Sequence, residues 1–177
     1  MQELAIQMPV ADREARFRSF VAAHRQKAVG LAWRLVGGDH EAAEDVAQEA
    51  FARAWRALPR FREEAKLSTW FYRIVVRQAA NHRRREGLRR RVRALTGREP
   101  AAETVRRDAP LQRRIAAALD QLSAGQREAF VLVHLEGFTV VEAAATLGKA
   151  EGTVKSHLHR ALRSMRGSLA DLWEEAR

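Results

Sequence analysis

Apolar side chains recur every three or four residues over most of the chain, which is the spacing of one face of an α-helix. In the first such stretch this face runs from Phe17 to Leu35, and Gly37-Gly38 ends it. No stretch alternates polar and apolar residues with the period of two that is typical of a half-buried strand. The pattern therefore predicts an all-α fold.

Signals for helix ends divide the following stretch. Asp39 can cap a second helix that runs to about Leu58, where Pro59 stops it because proline cannot continue a helix from within. After a short loop, Ser68 or Thr69 opens a third helix with the sequence TWFYRIVVRQAANHRRR. We expect these three helices to form one unit.

Helical periodicity is lost between residues 86 and 110, where Arg, Gly, Ala and Glu dominate and large apolar residues are few. We interpret this segment as a flexible linker. Periodicity then returns, and we expect helices over residues 111–121, 124–135, 140–147 and 153–172. The predicted architecture is two small helical domains, residues 1–85 and 111–177, joined by that linker and without an internal repeat.

Two of the C-terminal helices begin with a capping box, in which Ser or Thr is followed three residues later by Glu or Gln. The first box is Ser123 with Gln126, and the second is Thr139 with Glu142. The second opens a short helix that ends near Gly148, and a longer helix follows after a brief turn. A short helix, a turn with glycine and a longer helix form the helix-turn-helix arrangement.

The last helix has a donor-rich polar face opposite its apolar stripe. In a helix-turn-helix the second helix enters the major groove, so base edges and phosphates are the partners that such a face fits. The candidate DNA-binding residues are Thr153, Lys155, Ser156, His159, Arg160 and Arg163. An ordinary solvated face is the alternative. His157 and His159 point about 200° apart on a helix, so they cannot share a metal ion.

The charge balance supports an anionic partner. The 32 Lys and Arg residues exceed the 22 Asp and Glu residues, which gives a formal net charge of +10. No apolar run approaches the roughly 20 residues of a membrane span, and the first residues lack the pattern of a secretory signal, so we expect a cytoplasmic protein without membrane insertion. The absence of cysteine excludes disulfides and thiolate metal sites.

Two further faces lie in the N-terminal domain. The second helix carries Glu41, Asp45, Gln48 and Glu49 opposite its apolar side, which suggests a basic protein surface as partner or a solvated face. The third helix begins with adjacent aromatic residues and continues into an arginine run. Aromatic rings and cations together are typical of single-strand binding, although such rings are often core, as we expect for Phe71 and much of Trp70.

Three segments together resemble an extracytoplasmic-function (ECF) group sigma factor of bacterial RNA polymerase. They are AEDVAQEAFARAW, STWFYRIVVRQAANHRRR and LSAGQREAFVLVHLEGFTVVEAAATLGKAEGTVKSHLHRAL. The resemblance covers about residues 13–85 and 111–170 in the family's order. It implies a promoter-specificity subunit with no catalytic activity, which binds core polymerase, recognises the −35 and −10 promoter elements and promotes melting.

The resemblance also implies roles for individual residues. Asp45, Gln48 and Glu49 correspond to the residues that dock on the clamp helices of the β′ subunit. The loop from Arg60 to Leu67 and the start of the third helix correspond to the region that opens the −10 element, with Trp70, Tyr72, Arg73, Arg77 and Asn81 as candidates for the melted strand. Ser156, His159 and Arg160 correspond to readers of the −35 element, while Thr153 and Lys155 contact phosphates.

Other partners follow from the same resemblance. The apolar helix around Phe130 and Leu135 forms core and offers part of its surface to the β flap, and an anti-sigma factor is an expected inhibitor. This sequence departs from the family at Arg77 and Gln78, where Asn is frequent, and at His157, where Arg is frequent. No cofactor is called for. The alternatives are a free-standing helix-turn-helix regulator and an enzyme such as a nuclease. The sequence shows no cluster of carboxylates and His at ligand spacing, which argues against the nuclease.

Overall fold

The structure is a computed structural model that describes residues 10–61, 66–96 and 110–170. Seven α-helices occur within these ranges, and they contain no strand, so the predicted all-α class is confirmed. The helices are α1 (Val10–Val36), α2 (His40–Ala57), α3 (Leu67–Thr96), α4 (Pro110–Asp120), α5 (Ala124–Phe130), α6 (Val140–Leu147) and α7 (Glu151–Ser168). None of the described helices combines the length and the hydropathy that a membrane span requires.

The predicted helix boundaries in the N-terminal half rest on local chemistry that the structure confirms. α1 ends at Gly37 and Gly38, whose positive φ angles of 89° and 80° are readily available only to glycine. Asp39 then caps α2, because its side chain accepts a hydrogen bond of 3.0 Å from the backbone N–H of Ala42. A 3₁₀ turn over Leu58–Arg60 follows α2.

The two predicted capping boxes are present. The backbone N–H of Thr139 donates to Glu142 Oε2 at 2.9 Å, and the N–H of Glu142 donates to Thr139 Oγ1 at 3.1 Å. In the first box, the N–H of Ser123 donates to Gln126 Oε1 at 3.1 Å. Both boxes satisfy backbone donors that the first turn of a helix leaves free.

The predicted start of the linker at residue 86 is wrong, because α3 continues to Thr96. Arg, Leu and Ala are strong helix formers, and Glu86 lies 3.7 Å from Arg89 and 3.9 Å from Arg93 in ion pairs along the helix. This extension buries no core, since Leu95 is 86% exposed, so the hydrophobic pattern could not reveal it. Residues 97–109, the remainder of the predicted linker, lie outside the described ranges.

The helix predicted over residues 124–135 is present, but its hydrogen bonding changes along its length. α5 ends at Phe130, and the five residues Val131–Leu135 form a π-helical turn. After this turn, the N–H of Phe138 donates to the carbonyl of Leu132 at 2.9 Å before α6 begins. The predicted last helix corresponds to α7, and positions 171–172 of that prediction lie outside the described residues.

The N-terminal unit, α1 to α3, packs around Phe71, which is fully buried. Phe51 from α2 stacks on Phe71 with ring centroids 4.4 Å apart, and Phe20 from α1 meets its edge at 5.3 Å. Small buried residues on the inner face of α2 allow the close approach of its neighbours. They are Ala42, Ala43, Ala47, Ala50 and Ala54.

The C-terminal unit, α4 to α7, contains a buried arginine that joins α4 to α5. Arg127 is 3% exposed and donates from Nε to the carbonyl of Leu119 at 2.7 Å, and from Nη2 to that of Leu122 at 2.9 Å. It also bonds the carbonyl of Asp120 at 3.1 Å. Burial lowers the pKa of Arg127 to about 10, so the side chain remains a cation at neutral pH.

We expect Arg127→Met to lower the free energy of unfolding by about 2–4 kcal/mol, because it removes charge-assisted hydrogen bonds to carbonyls at the end of α4. Urea denaturation followed by circular dichroism measures the change. Arg113→Met, on an exposed position of α4, is the matched control and should cost far less. Equal losses for the two variants would contradict a structural role for Arg127.

Candidate nucleic-acid and polymerase interfaces

The predicted helix-turn-helix is formed by α6, a turn at residues 148–150 and α7. Gly148 ends α6 in the left-handed conformation with φ of 64°, and the N–H of Lys149 donates back to the carbonyl of Ala144 at 3.0 Å. The apolar stripe of α7 is buried in the C-terminal unit. Its members are Val154, Leu158, Ala161 and Met165. This burial fixes which face of α7 is turned to solvent.

All six residues proposed for the −35 element lie on exposed positions of α7. They are Thr153, Lys155, Ser156, His159, Arg160 and Arg163. Because the buried stripe holds the opposite side, donors and cations project from one continuous surface of about three turns. An α-helix with such a surface fits the major groove of duplex DNA.

His157 differs from its neighbours, because its ring is half-buried and turned toward α5. An added Cβ on Gly125 would lie 2.8 Å from His157 Nε2, so glycine at position 125 makes room for the ring. Burial, followed by the positive charges of Lys149 and Arg160, lowers the pKa of His157. A neutral, half-buried imidazole is a poor phosphate ligand. The position of the ring therefore agrees with the departure at residue 157, where this chain has His and the family frequently has Arg.

The acidic face of α2 is exposed as its sequence predicts, and Asp45, Gln48 and Glu49 lie together on it. Glu49 also forms ion pairs with Arg53 at 2.6 Å and with Arg56 at 3.5 Å, farther along the same face. The acidic face is therefore followed directly by a basic one. The two parts share Glu49.

A cleft of about 540 Å³ separates the basic part of α2 from α3. Its lining residues are Arg53, Arg56, Ala57, Trp70, Ile74, Arg77 and Gln78. Trp70 is supported from behind by Phe61, with ring centroids 5.0 Å apart. An aromatic ring beside three guanidinium groups offers stacking to a base and charge to phosphates.

Only two of the five residues proposed for the melted strand, Trp70 and Arg77, line this cleft. Tyr72 faces α1 instead and is 3% exposed. Arg73 is half-buried, and its Nε finds no hydrogen-bond partner among the described residues. Asn81 is half-buried, about three helical turns beyond the aromatic start of α3. In the loop from Arg60 to Leu67, which is predicted to help open the −10 element, residues 62–65 lie outside the described ranges.

Sequence reasoning missed Arg53 and Arg56 as members of the basic cleft. The sequence does indicate that they share a face of α2 with Glu49, because they follow it by four and seven residues. Only the packing of α2 against α3 shows that this face borders Trp70. No group of three or more His, Asp or Glu residues in the described part of the chain is placed to hold a metal ion.

Comparison with known proteins agrees with this geometry. The chain matches Sigma-70 region 2 over residues 20–100 and Sigma-70, region 4 over residues 112–165. The RNA polymerase sigma-H factor of Pseudomonas aeruginosa is 31% identical over 189 residues, which cover 99% of this chain and 96% of that protein. The ECF RNA polymerase sigma factor SigW of Bacillus subtilis is 30% identical, with 94% and 95% covered. The chain belongs to the ECF sigma factor family.

Three further relatives of this ECF sigma factor are a longer protein and two proteins with solved structures. The ECF sigma factor SigE of Mycolicibacterium smegmatis is 35% identical over 85% of this chain, which spans 60% of that protein. RpoE from Bartonella quintana, in complex with the anti-sigma factor NepR, has a TM-score of 0.71 and 29% identity, with 88% of this chain and 97% of that one covered. CnrH, in complex with the cytosolic domain of CnrY, has a TM-score of 0.69 and 28% identity, with 89% and 90% covered.

We expect the helix-turn-helix of this ECF sigma factor to lose stability on acidification through Glu142. The pKa of Glu142 is lowered chiefly by the hydrogen bond from the backbone of Thr139, and then by the Thr139 hydroxyl. A lowered folded-state pKa means that the stabilising contribution is present above the ordinary value of 4.5 and lost as pH falls through the folded value. The difference in Tm between the wild type and Glu142→Gln should therefore shrink as the pH falls below 4.5 and through the lower folded-state value. A difference that does not change with pH would contradict this role.

Proposed function

We propose that this chain is a promoter-specificity subunit of bacterial RNA polymerase. It binds the core enzyme, recognises a −35 element as duplex through α7, and holds the melted −10 strand on the N-terminal unit. The observation that carries the proposal is the pairing of two matched units in the family's order, each with an exposed face suited to its own partner. The protein acts in the cytoplasm, needs no cofactor and has no catalytic activity of its own.

The −35 assignment rests on the exposed face of α7. Arg160 can present two parallel donors to a guanine edge, while Ser156 and His159 lie one turn before it or beside it. Thr153 and Lys155, near the start of the helix, are placed for phosphate contacts, and Arg163 extends the charge along the groove. Base contacts provide specificity, and phosphate contacts provide salt-dependent affinity.

The −10 assignment rests on the basic cleft. Trp70 supplies a ring for stacking and Arg77 a cation, and Arg53 and Arg56 across the cleft add two more positive charges. A volume of about 540 Å³ can admit a nucleotide. Tyr72, Arg73 and Asn81 remain candidates for this strand, although Tyr72 would have to become accessible first.

The partner proteins follow from the remaining faces. Asp45, Gln48 and Glu49 form the docking face for the β′ clamp helices, and the apolar surface that includes the exposed Leu135 is the candidate for the β flap. An anti-sigma factor is a further proposed partner, since the structure of the relative RpoE from Bartonella quintana contains the anti-sigma factor NepR. Affinity for the core enzyme should then depend on the acidic face and not on α7.

The direct test is binding of the purified protein to core RNA polymerase at physiological salt, followed by run-off transcription from a promoter library. Saturable binding with sequence-selective initiation supports the proposal. Tight binding to duplex DNA alone, without binding to core, would instead favour a free-standing helix-turn-helix regulator. In that case the acidic face and the basic cleft would have no role.

For the upstream contact, we expect Arg160→Ala to weaken use of the selected −35 element by roughly five- to 150-fold, which corresponds to about 1–3 kcal/mol for one bidentate base contact. Affinity for core polymerase should not change. Arg166→Ala, an exposed arginine nearer the end of α7, is the control for loss of one positive charge. A matching loss of core binding in Arg160→Ala would refute the assignment.

For the polymerase contact, we expect the double variant Asp45→Ala/Glu49→Ala to reduce affinity for core enzyme by at least about tenfold, because it removes the charges that meet a basic surface. Binding of α7 to duplex −35 DNA should be unaffected. Glu14→Ala/Glu86→Ala, with the same change in net charge on other faces, provides the comparison. Unchanged core affinity would remove the acidic face from the docking surface.

A further inference from the structure

The last part of α3, residues 84–96, is a helical arm that the proposed function does not use. The last buried residue of α3 is Ala79, and the arm beyond it is exposed except for the half-buried Glu86 and Gly87. At 1.5 Å per residue the arm is about 20 Å long. Arg77, the nearer of the cleft residues that bear charge on α3, lies about two turns before it. The arm therefore offers a surface separate from the basic cleft.

Three apolar side chains form an exposed seam along the arm. Leu88, Val92 and Leu95 are 63%, 50% and 86% exposed. At 100° per residue they lie within about 60° of one another, so they share one narrow side of the helix. Their spacings of four and three residues are those of the d, a and d positions of a heptad. Val at a with Leu at d is the combination that favours the pairing of two helices.

Arginines border the seam on both sides. In the heptad register that the seam sets, Arg84 and Arg91 occupy g positions and Arg89 occupies an e position. The one acidic residue of the arm is Glu86 at an outer b position, where it pairs with Arg89 at 3.7 Å and with Arg93 at 3.9 Å. Side chains at e and g positions select a partner helix by its charge. The border of the seam therefore favours an acidic partner.

The seam and its border together favour a protein helix over other partners. A second copy of this chain would bring arginine against arginine at the e and g positions, and like charges repel there. Nucleic acid would pair with the arginines but leave Leu88 and Leu95 in water. A bilayer surface suits an apolar face of about 100° or more, and the seam is narrower. An acidic helix with an apolar stripe of its own satisfies both features.

We propose that the arm of α3 is a docking site for an acidic amphipathic helix of a partner protein. Apolar residues at the a and d positions of that helix pack on the seam, and its Glu or Asp residues at e and g positions pair with the bordering arginines. The contact requires neither core polymerase nor promoter DNA, so it goes beyond the proposed function and does not rest on it.

The length of the seam sets the strength of the contact. Arg85 occupies the a position before Leu88, and α3 ends at Thr96, so the apolar part spans less than two heptads. Short helical pairs are marginal in water, and the contact is therefore reversible and depends on every seam residue. Opposite charges at the border then decide which helix binds.

Binding of a synthetic acidic helix to the full-length protein tests the proposal. The probe is a fluorescent peptide of three heptads with Val at a, Leu at d and Glu at e and g positions. We expect saturable binding by fluorescence anisotropy with a Kd of about 1–100 μM. A peptide of the same composition in scrambled order should bind at least about tenfold more weakly. No saturable binding of the ordered peptide, or equal binding of the two, would overturn the docking site.

Variants of the arm test its seam and its border separately. Leu88→Ala/Leu95→Ala should weaken binding of the ordered peptide at least about tenfold, because Ala keeps the helix but removes the packing surface. Arg91→Glu should weaken it at least about fivefold. Arg90→Glu makes the same charge change at an exposed outer position and is the matched control, with an expected change below about twofold. Equal losses for Arg90→Glu and Arg91→Glu would reduce the contact to general charge attraction and overturn it.

A backbone variant tests whether the arm binds as a helix. Gly87→Pro breaks the helix just before Leu88 and leaves every seam and border side chain in the chain. Because the arm contributes no buried residue, the Tm of the protein should stay close to that of the wild type. Peptide affinity should fall at least about tenfold. Wild-type affinity in Gly87→Pro would show that a helical seam is not required and would refute the proposal.

The same seam variant excludes the other occupants. Dimers of the wild type in sedimentation that are lost in Leu88→Ala/Leu95→Ala would assign the seam to a second copy and overturn the proposal. Binding to duplex DNA, or to vesicles of phosphatidylglycerol, should be unchanged in that variant. A loss there as large as the loss for the peptide would reassign the seam to that ligand. Binding of core polymerase reports on the proposed function alone, so either idea can fail without the other.

Discussion

The rotation of α3 about its axis is the constraint on which the interfaces of this protein depend. Phe71 and Val75 are fully buried between α1 and α2, and this burial fixes the helix. At 100° per residue, Trp70 and Tyr72 on either side of Phe71 must then point to different surfaces. Trp70 borders the basic cleft with α2, and Tyr72 faces α1 and the second unit. One buried ring thus assigns two neighbouring aromatic residues to different roles.

In the C-terminal unit the equivalent constraint is that the backbone groups at the helix ends find hydrogen-bond partners. Arg127 bonds carbonyls at the end of α4, and the box of Thr139 and Glu142 begins α6. Gly148 then turns the chain so that Val154 and Leu158 of α7 enter the core. The donor-rich face of α7 is exposed as a result. The DNA recognition that we propose for this face depends on contacts that never touch DNA, because they set the direction in which its side chains project.

Charge is arranged by surface and not spread evenly over this strongly basic chain. Glu49 belongs to the acidic face that we propose for docking, yet its carboxylate pairs with Arg53 and Arg56 at the edge of the cleft. A partner that engages Glu49 would compete with these pairs. The faces proposed for polymerase and for the melted strand are in this way adjacent in space, and they share one side chain.

Sequence patterns were enough to predict the all-α class, the helix ends marked by Asp39 and the two capping boxes, and the exposed faces of α2 and α7. These features depend on neighbours within about four residues, where side-chain spacing and backbone donors act locally. Tertiary structure alone decided that α3 runs to Thr96, because an exposed helix buries no periodic stripe. It alone also placed Arg53 beside Trp70 and Glu136 beside Arg34, since pairs 17 and 102 residues apart meet only when helices pack.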